Sequence, residues 1–292
     1  MKKHIYFFLG ILIISPFYNC ENQTQKGSDT DKIVVRDTAT KEIENKPDIF
    51  NCDYLGEKPP KEEPVKFAPG TFSAGSFEIS TTGNEIQFTR SGNIYIMSKT
   101  DSGWEKPYVA PFSGTKVDGE STFLPDGKKI YFMSNRPLAN TKSLINTWVS
   151  EKVNGIWKSP HSLKLPSFDK TIHAVTVAKS GNIYFSGLYK IACNNEEYRI
   201  IEKLKPDIIG FHPFIALDES YLIFDKNSDL YIVYSKIDGT WTQPIKLNNR
   251  INTPSQEGSA FVTPDGKFMF FSRKSDLYWV DACFIEEFRQ EL

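Results

Sequence analysis

The sequence predicts an all-β fold made of repeated four-stranded units, and three observations carry this prediction. A hairpin motif recurs five times, 14% of the 292 residues are aromatic, and 18 glycines and 17 prolines are spread along the chain. Aromatic and β-branched residues favour strands, whereas Gly and Pro favour turns. Helical periodicity is confined to a short amphipathic segment at residues 284–292.

The clearest hairpin reads ESTFLPDGKKIYF and spans Glu120–Phe132. A short strand leads into a Pro-Asp-Gly turn, in which Gly127 supplies the positive φ, and an aromatic strand returns. The same turn recurs in Phe261–Phe271, read FVTPDGKFMFF. Three further copies are more degenerate and read ISTTGNEIQF, VAKSGNIYF and IALDESYLIF.

Each hairpin is followed by a third strand and, in three copies, by a turn containing Gly, Trp and Pro that leads to a fourth strand. The hairpin turns lie 38 to 54 residues apart, at Gly83, Gly127, Gly181, Glu219 and Gly266. Four strands at this period are typical of a β-propeller blade, so the five copies predict five antiparallel blades.

The segment that precedes the first hairpin resembles the outer strand of a blade. Pro64-Val65-Lys66-Phe67 aligns with Pro244-Ile245-Lys246-Leu247, the fourth strand of a later repeat. The last repeat lacks a fourth strand, so we expect residues 65–68 to complete the last blade and to close the ring.

The N-terminus has the features of a targeting segment. Lys2 and Lys3 precede an apolar run at residues 5–14, which is too short to span a bilayer, and Cys20 follows. This arrangement resembles a bacterial lipoprotein signal at residues 1–19 with lipidation at Cys20; a secretory signal cleaved near Cys20 is the alternative. Residues 20–48 are polar and predict a disordered tether, and residues 49–292 the propeller domain.

Net charge, histidine spacing and cysteine content indicate which ligands, metals and disulfides to expect. A net charge of −1 argues against a nucleic-acid ligand. The four histidines show no metal-binding spacing, so no metal or cofactor is predicted. Cys52, Cys193 and Cys283 are expected to be free thiols, with a Cys52–Cys283 bridge as the alternative.

The sequences PDGKKIYF and PDGKFMFFSR, the SDLY segment and the Gly-x-Trp-x-x-Pro tail resemble the WD-like propeller repeat of the TolB type. The resemblance covers about residues 53–289, and both ends of this region resemble Bacteroidetes-type lipoproteins that carry the domain. It implies a cell-envelope location and a protein partner. Because TolB-type domains usually have six blades, a sixth, unrecognised blade is the alternative.

The candidate site lies where the first strand of each blade begins and the second strand ends, since these points share one end of the ring. We refer to it as the funnel end. The ligand-binding candidates there are Asp118, Glu120, Arg136, His173, His212, Glu257, Arg90 and Arg273, with Asp169, Asn135 and Lys226 beside them. The position of Glu120 is occupied by His212 in the fourth copy and Ser259 in the fifth, which predicts an asymmetric site.

These residues favour a monomeric binding module for an envelope protein or glycan, with no catalytic residue assigned. A glycoside hydrolase is the alternative, and it requires two carboxylates, one of them with a raised pKa. Asp118 or Glu120 with Glu257 is the pair that the sequence offers. Sequence motifs of a serine or cysteine nucleophile and of a phosphate-binding loop are absent.

Overall fold

Five antiparallel sheets follow one another along the chain in the computed structural model, which describes residues 52–72, 75–139, 144–166, 168, 171–194 and 197–290. The first strands of consecutive sheets contact each other, and that of the fifth sheet contacts that of the first. The sheets therefore form a five-bladed β-propeller with the first strands around its axis. Because the fifth blade contacts the first, no place for a sixth blade is left, and the six-bladed alternative is wrong.

The strand bounds follow the predicted repeats. The first strand, β1 (Val65–Lys66), precedes all hairpins. Blade 1 contains β2 (Phe77–Ile79), β3 (Glu85–Arg90), β4 (Asn93–Thr100), β5 (Gly103–Trp104) and β6 (Tyr108–Val109). Blade 2 contains β7 (Asp118–Phe123), β8 (Lys129–Ser134), β9 (Asn146–Val153), β10 (Ile156–Trp157) and β11 (His161–Ser162).

The remaining blades each have four strands. Blade 3 contains β12 (Thr176–Val177), β13 (Ile183–Phe185), β14 (Tyr189–Asn194) and β15 (Glu197–Lys203). Blade 4 contains β16 (Phe211–Ile215), β17 (Tyr221–Lys226), β18 (Asp229–Tyr234) and β19 (Ile245–Lys246). Blade 5 contains β20 (Glu257–Val262), β21 (Phe268–Arg273) and β22 (Asp276–Asp281), and it is completed by β1.

Strand β1 closes the ring as predicted. Val65 pairs with Trp279 of β22, and the Phe67 amide donates to the Leu277 carbonyl at 2.9 Å. The Phe67 ring is 1% exposed and packs edge-on against Phe270 at 5.0 Å between ring centroids. One segment therefore covers the edge of the last blade and fills the core between blades 5 and 1.

The Trp residues of the repeat tails pack between blades, as their positions predicted. Trp157 is buried in a cluster that joins blades 1 and 2, and Trp241 packs edge-on against Tyr184 of blade 3. Blade 3 lacks this tail. Its outer strand β15 instead forms a seven-residue hairpin partner for β14, and this hairpin replaces the short fourth strand of the other blades.

Two short helical segments flank the strands. A 3-10 turn spans Tyr54–Gly56, and the predicted C-terminal helix forms over α1 (Phe284–Gln290). Cys52 forms no disulfide, so the alternative of a Cys52–Cys283 bridge is wrong, and Cys193 is likewise not bridged. The predicted signal at residues 1–19, Cys20 and the tether at 20–48 lie outside the described residues.

Candidate functional site

The ring of first strands carries one side chain from each blade into an axial cavity. These residues occupy the same position, three before the last residue of the first strand, and they are Ser76, Glu120, Ala174, His212 and Ser259. In blades 2, 4 and 5 the register with the second strand shifts by one residue at this position. The extra residue is a β-bulge, which re-aims a side chain that a regular strand would place elsewhere.

The bulged residues adopt a left-handed backbone. The φ angle is 44° at Glu120, 43° at His212 and 49° at Ser259, although none of these residues is glycine. Bonds from the preceding blade support the conformation: the His212 amide donates to Ser186 Oγ at 3.2 Å, and the Ser259 amide to Asp225 Oδ1 at 3.4 Å. Strained backbone of this kind is concentrated at functional sites.

The cavity has a volume of about 290 Å³ and is lined by all five blades. Its walls are apolar over much of their area, through Phe77, Val117, Met133, Val175, Pro213 and Phe261. Its ionisable lining residues, among those described, are Glu78, Asp118, Glu120 and His212. An apolar cavity with a few convergent polar groups is the usual form of a ligand site.

A chain of hydrogen bonds and ion pairs between two carboxylates and two histidines crosses the funnel end. Glu120 Oε2 lies 3.0 Å from His173 Nδ1, and Glu120 Oε1 lies 3.7 Å from His212 Nε2. His212 Nδ1 contacts Asp225 Oδ1 at 2.8 Å. These contacts join blades 2, 3 and 4 through side chains that the sequence separates by up to 105 residues, from 120 to 225.

The contacts of this network lower the pKa of Glu120 and raise the pKa of His212. Burial acts to raise the pKa of Glu120, but the bonds to His173 and His212 outweigh it and lower the pKa to about 2. The bonds from Asp225 and Glu120 raise the pKa of His212 to about 10. At neutral pH the site therefore holds an ionised Glu120 beside a protonated His212.

Glu78 is a cavity residue that the sequence analysis missed. Its Oε2 accepts the Phe123 amide of the next blade at 2.8 Å, and burial raises the pKa of its carboxyl group to about 7. The equivalent residue of blade 3, Thr176, accepts the Ile215 amide in the same way at 3.4 Å. A carboxylate in a strand position that blades 2 and 3 fill with Thr and blades 4 and 5 with Phe was the available signal.

Asp225 was also missed, because it lies inside the second strand rather than after it. A charged residue that follows three buried apolar residues of β17 was the signal for it. Among the predicted residues, Glu120, His173 and His212 come together, and Asp118 lines the same cavity. Asp169 lies outside the described residues.

The predicted arginines are engaged by the protein itself. Arg136 forms an ion pair with the fully buried Asp118 and donates to the Phe112 carbonyl. Arg273 bonds Glu257 at 2.9 Å, and the Glu257 side chain is likewise fully buried. These two pairs belong to equivalent corners of blades 2 and 5, so they hold loops at the funnel end.

The other predicted neighbours lie at the margin of the funnel end. The Arg90 guanidinium lies 4.4 Å from the centre of the Tyr95 ring. Asn135 Oδ1 accepts the Val117 amide at 3.0 Å, and Lys226 is a half-exposed residue that pairs with Asp229 in the β17–β18 ladder. Arg90, Asn135 and Lys226 are not among the described residues that line the cavity.

The described part of the chain offers neither a metal site nor a membrane span. No group of three or more His, Cys, Asp and Glu residues in it has metal-binding geometry. None of its helices combines the length and the apolar character needed to cross a membrane.

Fold and cavity together define a five-bladed β-propeller with an axial cavity. No profile of a known protein family matches the chain, and no curated protein matches its sequence. Among solved structures it is similar to TolB from Agrobacterium tumefaciens, with 11% identity and a TM-score of 0.44 over 68% of this chain and 69% of that protein. TolB from Acinetobacter baumannii has the same identity and TM-score, over 71% of this chain and 56% of that protein.

Solved structures of proteins with other names are also similar to the chain. A gluconolactonase from Xanthomonas campestris is 12% identical with a TM-score of 0.48, over 72% of this chain and 71% of its own. A protein of unknown function from Bacteroides thetaiotaomicron is 14% identical with a TM-score of 0.45, over 74% and 56%. The chain therefore spans just over half the length of some of these proteins, and the likeness concerns architecture alone.

Proposed function

We propose that this protein is a cell-envelope binding module whose axial cavity holds a polar segment of a partner protein. The observation that carries the proposal is the ring of equivalent residues at Ser76, Glu120, Ala174, His212 and Ser259. Glu120 and His212 are large and ionisable, whereas Ser76, Ala174 and Ser259 are small, so the ring is asymmetric. Glu120, His212 and Ser259 sit on strained bulges that aim them into one cavity.

The charged groups are arranged before any ligand arrives. Glu120 is held by two histidines, and His212 is held by two carboxylates, so neither side chain must reorganise on binding. Preorganised groups lower the entropic cost of association. Binding at the axis also brings a ligand into contact with all five blades.

A pull-down from envelope extract tests the proposal. The matched variants are Glu120→Ala at the cavity and Glu151→Ala, a partly exposed carboxylate that pairs with Lys129 on the surface of blade 2. We expect a partner that wild type and Glu151→Ala retain and that folded Glu120→Ala loses. Equal retention of the partner by all three proteins overturns a binding role for the cavity. If wild type retains a glycan and no protein, the ligand is a glycan and the proposed protein partner is wrong.

A glycoside hydrolase is the second candidate, and one observation favours it. Glu78 and Glu120 line one cavity, and their pKa values are displaced in opposite directions, to about 7 and about 2. A neutral acid beside an ionised carboxylate is the arrangement that glycoside cleavage requires. Asp118 and Glu257, which the sequence offered for this role, are instead engaged by arginines.

A panel of glycoside substrates tests this candidate. Turnover that disappears in both Glu78→Gln and Glu120→Gln, but persists in Glu151→Gln, establishes an enzyme. Absence of turnover for every substrate leaves the binding module as the function of the cavity.

A further inference from the structure

Above about pH 7, where Glu78 is ionised, the cavity carries an excess of negative charge. Glu78, Asp118 and Glu120 line it, and Asp225 lies behind His212. Arg136 neutralises Asp118, and the protonated His212 offsets one further carboxylate. No Lys or Arg belongs to the described residues that line the cavity. The remaining acidic groups favour a cationic ligand group.

None of these carboxylates offers two free oxygens to a bidentate ligand group such as a guanidinium. Both oxygens of Glu120 face histidines, and Glu78 accepts the Phe123 amide and bonds the side chains of Thr122 and Gln87. Asp118 bonds Arg136 and accepts from Ser113 Oγ at 2.8 Å. A guanidinium is bound best by two parallel carboxylate oxygens, whereas an ammonium acts as a compact point charge. Each carboxylate oxygen has two lone pairs, and the lone pairs that these bonds leave on Glu78 and Glu120 suit an ammonium rather than a guanidinium.

Apolar surface leads from the exterior to these acidic groups. The cavity walls include Phe77, Met133 and Phe261, which suit the aliphatic stem of a long side chain. Val117, which lines the cavity, is 53% exposed, and Phe211, which precedes the lining residue His212 in the chain, is 46% exposed. Ile209, two residues before Phe211, is 58% exposed. Exposed large apolar residues next in the chain to a cavity favour an interaction surface there.

We infer that the cavity receives a lysine side chain from an extended segment of the partner protein, with its ammonium against Glu78 and Glu120. Apolar side chains next to that lysine pack on Val117, Ile209 and Phe211. This inference rests on the proposed binding function and names the chemical group that is bound. Charge complementarity selects the lysine, and the apolar mouth selects its neighbours.

A peptide series tests the inference on the folded protein. The probe is acetyl-Ala-Leu-Lys-Leu-Ala-amide, and its matched controls carry acetyl-lysine, norleucine or arginine at the central position. By isothermal titration we expect the lysine peptide to bind at least about tenfold more tightly than each control. Glu78→Gln, which keeps an oxygen for the Phe123 amide, should lose this preference, whereas Glu151→Gln should keep it.

The pH dependence supplies a second measurement. Glu78 ionises as the pH rises through about 7, so lysine-peptide affinity should rise between pH 6 and pH 8. The other charged groups at the cavity are Asp118 with Arg136 and Glu120 with His173 and His212, the latter also bonded to Asp225. The rise should disappear in Glu78→Gln.

The outcomes separate the inference from the function on which it rests. Equal affinity for the lysine, acetyl-lysine and norleucine peptides overturns the inference, as does tighter binding of the arginine peptide. An unchanged pH dependence in Glu78→Gln contradicts the position of the ammonium. If the pull-down partner still depends on Glu120 while the peptides bind equally, the binding function stands and only the lysine is wrong.

Discussion

Cations stacked on aromatic rings anchor the side chains of the funnel end. In blades 1, 3 and 5, Arg90, Lys203 and Arg273 lie 4.4, 4.6 and 4.6 Å from the ring centres of Tyr95, Tyr189 and Tyr278. Each of these tyrosines is itself stacked on a Phe of the second strand. In blades 1 and 5 the cation is the arginine that ends the second strand, whereas in blade 3 it is Lys203 of the outer strand, so these cations serve the packing of the blade.

The first prediction separates the two kinds of arginine. Arg136→Ala leaves the buried Asp118 without its cation, so it should lower the free energy of unfolding by about 3–5 kcal/mol. Arg90→Ala removes only a cation from an aromatic face and should cost about 0.5–1 kcal/mol. Urea unfolding of both variants measures the difference. Similar costs would contradict the structural role of the Arg136–Asp118 pair.

The second prediction concerns pH and His212. Its pKa is raised in the folded state by Asp225 and Glu120, from 6.5 to about 10. Its contribution to stability is therefore complete below pH 6.5 and is lost as the pH rises toward 10. The difference in unfolding free energy between wild type and His212→Gln should shrink from pH 6 to pH 9.5. A difference that stays constant over this range would show that His212 is not charged in the folded state.

The hairpin turn is the element that the repeat preserves best. At Gly127 and Gly266 the φ angles are 65° and 73°, as the Pro-Asp-Gly sequence predicted. In the fourth copy Glu219 takes this position with φ 61°, and its carboxylate accepts bonds from Ser180 and Asn182 of the neighbouring blade at 2.6 and 2.9 Å. There, contacts between blades compensate for a backbone that glycine adopts more readily.

The third prediction tests the turn itself. No atom lies within 4 Å of a Cβ added at Gly266, so Gly266→Val meets only backbone strain and should cost about 1–3 kcal/mol. Gly266→Asn should cost less, because Asn tolerates positive φ. Thermal unfolding compares the two variants. The turn lies at the end opposite the cavity, and a normally stable variant that loses ligand binding would contradict this placement.

The closing strand is the element on which the ring depends, and it provides the fourth prediction. Phe67→Ala removes a buried ring between blades 5 and 1, so it should cost about 3–5 kcal/mol. Val65→Ala, at a position 42% exposed on the same strand, is the matched control and should have a small effect. Urea unfolding measures both. Equal stability of the two variants would mean that the segment does not close the core.

At the scale of the whole molecule, ring closure makes one cavity from residues far apart in the chain. Each blade delivers one residue to the axis, and no blade holds the network of Glu120, His173, His212 and Asp225 alone. The cavity therefore exists only in the complete ring. The location of the ring in the cell is still a prediction, and it rests on the N-terminal sequence.

The fifth prediction concerns that segment. If Cys20 is lipidated, Cys20→Ser should move the protein from the membrane fraction to the soluble fraction, and globomycin should cause the unprocessed form to accumulate. Cell fractionation and electrophoretic mobility measure both effects. A variant that fractionates and migrates like wild type would favour the alternative of an ordinary secretory signal.

The local sequence alone determined the blades of this protein. Turn glycines, strand aromatics and the Trp tails act over a few residues, so the five hairpins, the closing strand and α1 could all be predicted. The resemblance of residues 65–68 to a fourth strand even identified how the ring closes. All of these signals depend on residues that are close together in the chain.

Only the tertiary structure decided which side chains form the site. The bulges at Glu120 and His212 re-aim those residues into the axis, and a bulge depends on the register between two strands rather than on one residue. Pairing of the first and second strands within blades 2 and 5 brought Arg136 and Arg273 to Asp118 and Glu257. Burial raised the pKa of Glu78, and this desolvation exists only after the ring has closed, which is why Glu78 was not predicted. Asp225 was not predicted because its contact with His212 depends on the bulge in blade 4.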